Sequence, residues 1–298
     1  MNVLIIGSKG FIGHHLTRYL KNNEHKVHEA DIVHDYGTPN YFLLDGRNEN
    51  LEQLFQWDSF HVCVNCSGAA VVSKSFKEPL HDHQLNTLNV YRHLVSLKKY
   101  QPDCKYVTMS SAAVYGNPEQ LPVSEEQTLK PLSPYGLHKK HAEELVQFCC
   151  ENFGLHAAIL RIFSAYGPGL KKQLFWDLYQ KSKESSKVSL FGTGQETRDF
   201  IFIEDLCQLI ELIIKHKTIG CEIYNAAKGE KISIADAVKV FYKLLGFNGE
   251  YQFEKQSMAG YPSQWVANIE KANELGFKPQ FNLHEGLEKY NQWLSELS

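Results

Sequence analysis

Val3-Leu4-Ile5-Ile6-Gly7-Ser8-Lys9-Gly10-Phe11-Ile12-Gly13 is the stretch that decides the architecture. Four consecutive apolar residues suit a strand buried on both faces. Glycines at positions 7, 10 and 13 then permit a tight turn and a close backbone approach, and a helical pattern follows through Leu20. A strand, a glycine-rich turn and a helix N-terminus together can receive a pyrophosphate on backbone N–H groups. Val27-His28-Glu29-Ala30-Asp31 reads as the next strand and ends in a carboxylate. That is the distance at which an acid meets the ribose hydroxyls of a dinucleotide and repels a 2′-phosphate.

Working outward, Tyr41–Leu44 reads as a third strand, with Asp45 and Gly46 at its exit where an adenine edge is met. A helix starts at Leu51–Phe55. Phe60–Cys66 is a fourth strand, released into Ser67-Gly68-Ala69-Ala70, whose small side chains let backbone lie against a flat ligand. A long helix around Asn86–Leu97 precedes the strand Lys105–Ser110, and Ala157–Phe163 is a further strand. This alternation predicts an α/β fold, a Rossmann-type doubly wound parallel sheet with a smaller, interleaved C-terminal lobe. The boundaries expected are 1–165 for the dinucleotide-binding domain, with 198–226 returning to it, and 166–197 plus 227–298 for the substrate lobe. The return rests on the apolar face of a helix at Glu204–Lys215.

Composition narrows the functional classes. The chain has 298 residues, 43% hydrophobic and 22% charged, with a net charge of −3, which gives no reason to expect nucleic acid or an anionic membrane as partner. No apolar run approaches a membrane span, and no basic n-region precedes the first strand. Seven irregularly spaced cysteines suit a reducing compartment, so a cytoplasmic location is expected. Cys63-x-x-Cys66 lies inside a strand pattern with no second ligand pair, and the histidines show no metal-ligand spacing. No metal site is expected.

The chemistry centres on Ser133-Pro134-Tyr135-Gly136-Leu137-His138-Lys139. Ser133 is a helix N-cap and Pro134 fits the first helical position. Tyr135 and Lys139 then stand one turn apart on one face. An ammonium beside a phenol favours the phenolate and makes it a usable base. The same spacing recurs at Tyr179, Tyr224 and Tyr251. What singles out Tyr135 is the capped helix start and the upstream segment Ser110-Ser111-Ala112-Ala113-Val114-Tyr115-Gly116.

With these residues in place, the chain resembles the extended short-chain dehydrogenase/reductase family, specifically its NAD-dependent sugar-nucleotide epimerases and dehydratases. The motifs that carry the resemblance are Gly7…Gly13, Asp31, Asp45-Gly46, Ser110–Gly116, Tyr135…Lys139, Arg161…Gly169 and Arg198-Asp199-Phe200. The resemblance implies NAD as cofactor, Tyr135 as proton carrier, Lys139 on the nicotinamide ribose and Ser111 polarising the reacting hydroxyl, with Ser110 able to share that role. It also implies Asn86 and Phe163 near the cofactor, and Ser164, the backbone at Phe191 and Arg198 on the sugar nucleotide. For Arg198 an ion pair with Asp199 or Glu204 is the alternative. Departures from the family pattern are Ser164 in place of Asn, Gly260-Tyr261-Pro262 in place of a second Arg, and Ala70 in place of Lys. The implied activity is C4 epimerisation of a nucleotide-diphosphate hexose. A 4-ketoreductase is the first alternative, then a 4,6-dehydratase or a ligand-sensing homologue without turnover. A homodimer is implied as well. The Asp31 carboxylate predicts that NAD binds more tightly than NADP; a fluorescence titration giving equal midpoints for the two would contradict this.

Overall fold

The computed structural model describes residues 1–45, 51–254, 260 and 262–297. Along the chain run β1 (Asn2–Ile6), α1 (Phe11–Asn22), β2 (Lys26–Asp31), β3 (Tyr41–Leu43), α2 (Glu52–Trp57) and β4 (Val62–Asn65). Next come α3 (Val72–Lys77), α4 (Pro79–His83), a π-helical turn (Gln84–Leu88), α5 (Asn89–Tyr100) and β5 (Lys105–Ser111). After a 3₁₀ turn at Ala112–Val114, α6 (Pro134–Phe153), β6 (Ala157–Ile162) and β7 (Ser164–Tyr166) follow. The remaining elements are α7 (Gln173–Glu184), β8 (Lys187–Leu190), β9 (Thr197–Arg198), β10 (Phe200–Phe202), α8 (Ile203–Lys215) and β11 (Cys221–Ala226). Last are β12 (Ile232–Ser233), α9 (Ile234–Leu245), β13 (Glu250–Phe253), α10 (Glu270–Glu274) and α11 (Leu283–Ser295).

Seven strands form one parallel sheet in the order β11-β6-β5-β4-β1-β2-β3. The chain winds outward from β1 in both directions, so the crevice lies at the C-terminal ends of β1 and β4. Val3 and Ile5 enter a core cluster shared with α1, α8, α9 and α11, while Leu4 and Ile6 enter a second cluster with α2, α5 and α6. Both faces of β1 are therefore covered, which is why its sequence does not alternate. Nine residues of α8 are buried, seven of them apolar; α8 packs on α1, and the chain then adds β11 to the sheet beside β6.

Two local readings change. The single helix expected around Asn86–Leu97 is the end of a broken run of α3, α4, a π-turn and α5. Pro79 has no N–H and pushes the preceding Glu78 out of the helical region, to φ −131° and ψ 62°, so the helix must restart. The strand expected over Phe60–Cys66 spans only Val62–Asn65. Three short two-stranded pairings, β7 with β10, β8 with β13 and β9 with β12, are legible only in the structure.

Under the sheet's C-terminal edge lies a buried polar network. Arg161 on β6 forms a bidentate pair with Glu143 on α6, at 2.8 Å for Nη2–Oε2 and 3.1 Å from Nε. Its Nη1 donates to the Tyr115 hydroxyl at 3.0 Å, and Tyr115 in turn donates to Asn225 Oδ1 at 2.7 Å. Both ends of the pair are almost fully buried. Removing one partner of such a pair costs about 3–5 kcal/mol, whereas replacing both with apolar groups does not. Glu143→Gln is therefore expected to lose that much stability in urea unfolding, and Glu143→Met/Arg161→Met to recover most of it. Equal loss in the single and double variants would contradict this account.

Candidate active site

The first turn of α6 is fixed from several sides. Ser133 Oγ accepts from Gly136 N at 3.1 Å, with Pro134 following it. The Tyr135 N–H, which has no intrahelical acceptor, donates to Ser75 Oγ of α3 at 3.0 Å. Thr87 Oγ1 of the π-turn donates to the His138 carbonyl at 2.9 Å. At the far end Gly154 adopts the left-handed conformation, φ 70°, that closes the helix. Tyr135, Lys139 and Glu143 all fall on the buried face at helical spacing.

β5 delivers Ser111 to this turn. Successive side chains of a strand point to opposite faces, so Ser110 and Ser111 separate. Ser111 lies at the end of β5 next to the 3₁₀ turn, where its Oγ accepts from the Ala113 N–H at 3.2 Å, and its hydroxyl acts on the Tyr135 phenol to favour the phenolate. Ser110, expected from the sequence to share the substrate-facing role, instead donates to Glu143 Oε1 at 2.5 Å beneath the site and is 6% exposed. The structure thus places Ser110 in the Arg161–Glu143 network.

The protonation states also differ from the simplest reading. Burial pushes the Tyr135 phenol up to about 12, with the Ser111 hydrogen bond opposing and the Asp82 carboxylate adding to the rise. Burial lowers Lys139 to about 8, against the pull of Asp82 and Glu143. Lys139 Nζ donates to the Met109 carbonyl at 2.8 Å. Desolvation dominates both shifts: at neutral pH the phenol holds its proton and the ammonium keeps its charge.

On the other side of the crevice, the β1–α1 turn leaves no room for a side chain at Gly7 or Gly13. A Cβ at Gly7 would stand 2.7 Å from Ser67 N, and one at Gly13 would stand 2.1 Å from the Gly7 carbonyl oxygen. Gly10 caps α1 with no side-chain hydrogen bond, and Phe11 and Ile12 pack partly buried against the core. Asp31 is buried at the end of β2, where its carboxylate accepts from the backbone N–H groups of Lys9, Ile32 and Val33 at 2.7–3.2 Å. Ser67 turns its hydroxyl back to Asn65 Oδ1 at 2.7 Å, and Gly68 and Ala69 continue that strand exit. Asn86 is fully buried in the π-turn, and neither its amide nitrogen nor its oxygen has a partner. A Cβ on Gly68 would lie 2.7 Å from Asn86 Oδ1 and 3.6 Å from Lys139 Nζ, so these three residues converge. Glycines pressed against neighbouring backbone and an unsatisfied buried amide beside Lys139 fit a dinucleotide in this crevice.

Phe163 is buried beside Tyr115, with ring centroids 6.3 Å apart, and beside Trp265 at 5.8 Å, in the same small apolar cluster as Tyr135. The half-buried Ser164 opens β7, where its N–H donates to the Asp199 carbonyl at 2.9 Å. Arg198 donates to the Thr197 carbonyl at 2.8 Å and lies over the Trp265 ring at 5.4 Å. Of the two carboxylates named as alternative partners, Asp199 accepts backbone N–H groups of Lys228, Gly229 and Ala267, and Glu204 pairs with Lys289. Phe191 is exposed, with the Lys181 ammonium 5.4 Å from its ring. Asp45 is exposed after β3, and Gly46 lies outside the described residues.

The model of the NAD dependent epimerase/dehydratase family matches residues 3–227. The chain belongs to this family. A UDP-glucuronate 4-epimerase of Thermodesulfobacterium geofontis is 27% identical over 317 residues, covering 98% of this chain and 96% of that one. The solved UDP-glucuronic acid 4-epimerase of Bacillus cereus, in complex with UDP-glucuronic acid and NAD, is 28% identical with a TM-score of 0.90 and full coverage of both chains. MoeE5 in complex with UDP-glucuronic acid and NAD is 25% identical, again with a TM-score of 0.90 and full coverage of both chains. Membership of an NAD-dependent family agrees with the fit of the glycine turn and Asn86.

Several residues at the site were not singled out from sequence. Asp82 of α4 and His138 of α6 form a buried pair, and Trp265 covers Phe163 while donating from Nε1 to the Gly116 carbonyl at 3.2 Å. His138 carried a signal, since it lies between Tyr135 and Lys139. Trp265 carried none, being far away along the chain. Because burial lowers Lys139 to about 8, folding desolvates a charge at neutral pH. The penalty is full below pH 8 and fades as pH rises toward the unfolded value of 10.5. Lys139→Met is therefore expected to stabilise the fold at pH 7 by roughly 1–3 kcal/mol while abolishing turnover. The gain should shrink above pH 8. Thermal unfolding across pH checks this, and a gain that grows with pH would contradict it.

Proposed function

We propose that the protein is an NAD-dependent UDP-hexose 4-epimerase. The observation that carries this reading is Tyr135 and Lys139 one turn apart on the buried face of α6, with Ser111 at the end of β5 and the unsatisfied Asn86 amide converging on Lys139, in a chain similar end to end to UDP-sugar 4-epimerases. In this reading the glycine turn holds the pyrophosphate and Asp31 the adenosine ribose. Asp45 lies at the adenine edge. Asn86, Lys139 and Phe163 hold the nicotinamide half, with Ser67–Ala69 along its backbone. Arg198, Ser164 and the backbone at Phe191 meet the sugar nucleotide.

In its phenolate form, which the positive charges of Lys139 and of a bound NAD would favour, Tyr135 Oη would take the proton of the sugar 4-hydroxyl and later return one to the same oxygen. Ser111 donates to that oxygen, and Lys139 keeps a positive charge within the desolvated pocket. The bound NAD supplies the hydride acceptor and donor. A 4,6-dehydratase needs a further proton donor and acceptor reaching past C4. The two residues after Ser111 are Ala112 and Ala113, both buried, and neither methyl group can move a proton. An epimerase needs no such group.

Two copies of the chain are expected to pair, a reading supported by exposed apolar residues on the mutually packed helices α4, α5 and α6: Leu80, Val95, Leu137 and Phe148. A cytoplasmic location is supported by seven cysteines that are all free thiols. The functional test is incubation with UDP-glucose or UDP-glucuronate without added reductant. A C4-inverted product is expected, and Tyr135→Phe should lower turnover by about 10²-fold or more with NAD affinity little changed. A 4-keto-6-deoxy product, strict demand for stoichiometric NAD(P)H, or near-full activity of Tyr135→Phe would overturn the assignment.

A further inference from the structure

Between Tyr135 and Lys139 stands His138, and its Nδ1 lies 2.6 Å from Asp82 Oδ2. Both side chains are more than nine-tenths buried, and the second carboxylate oxygen, Oδ1, is fully buried with no partner. A carboxylate is costly to bury and half-satisfied here, so its position calls for more than packing. It reaches α6 from α4, at the turn that carries the two groups of the proposed chemistry.

Resting on the reading of Tyr135 and Lys139 given above, we propose that Asp82 is a positioning residue for the proton carrier. Through His138 it holds the first turn of α6, and it places a buried carboxylate beside both Tyr135 and Lys139. The same charge raises Tyr135 and Lys139 together, opposing the phenolate while favouring the ammonium. The groups that surround the pair are few. His83 of α4 and His141 of α6 face His138, with ring centroids 5.1 and 6.5 Å away. Glu143 and Cys66 act on Lys139 as well, and Ser111 on Tyr135. From α3, Lys74 and Lys77 are exposed, and the π-turn contributes only the uncharged Gln84, Asn86 and Thr87.

The test compares the full-length chain with Asp82→Asn and with Asp82→Asn/His138→Asn. The double variant restores a neutral partner set, so it separates loss of charge from loss of packing. Near-ultraviolet difference spectra against Tyr135→Phe isolate the phenol titration without substrate. Its midpoint should move to lower pH in both variants. The kcat profile should move to acid on both limbs, with the maximum falling roughly tenfold in Asp82→Asn. Thermal stability should drop in the single variant and recover in the double one. An unshifted phenol in the folded variants, or a midpoint that returns with stability in the double variant, would overturn the proposal. Because the phenol titration requires no turnover, it decides this inference separately from the activity assay that decides the reading beneath it.

Discussion

Gly136 lies so close to the 3₁₀ turn after β5 that a Cβ there would stand 2.6 Å from the Ala113 carbonyl oxygen. No side chain can enter that gap, and the closeness sets the register between α6 and β5. That approach brings the end of β5, with Ser111, up to the turn of α6 that carries Tyr135. The surrounding pins (Ser133, Ser75, Thr87 and Asp82) all act on the same turn from different elements. Each is a modest interaction, worth about 1 kcal/mol net, but together they leave the turn little freedom.

What this register creates is a dry pair of titratable groups. Tyr135 is shifted upward and Lys139 downward, each toward its neutral form, and the cause is the same desolvation. A proton carrier in a reversible oxidation must give back what it takes. In the roles proposed for them, a phenol that holds its proton at neutral pH would serve the return step, and a charged lysine kept close would favour the phenolate that the forward step needs. The buried Arg161–Glu143 pair lies one turn further along α6 and secures the strand ends beneath without entering the chemistry.

Much of this was legible along the chain where local rules dominate. The continuous apolar run of β1, the glycines that follow it and the Asp at the end of β2 all obey the geometry of one βαβ unit. Ser133, Pro134 and Gly154 bound α6 as capping physics requires. The readings that changed depend on tertiary context. Ser110 and Ser111 look equivalent in sequence, and only the strand's alternation, with Glu143 waiting on one side, separates them. Lys139 beside Tyr135 suggested a lowered phenol, but burial outweighed that proximity. The partnership of Asp82 with His138 joins residues 56 apart, and that of Trp265 with Gly116 residues 149 apart, which no periodicity can reveal.

The central claim is that the carbon oxidised at C4 receives the same hydrogen back on its other face. UDP-glucose deuterated at C4, mixed with unlabelled substrate and incubated with the enzyme in the presence of free NAD, tests it most directly. Mass spectrometry of the product should find C4-inverted sugar with its deuterium fully retained and no crossover between labelled and unlabelled molecules. Loss of the label to solvent or to the free cofactor pool would contradict the account.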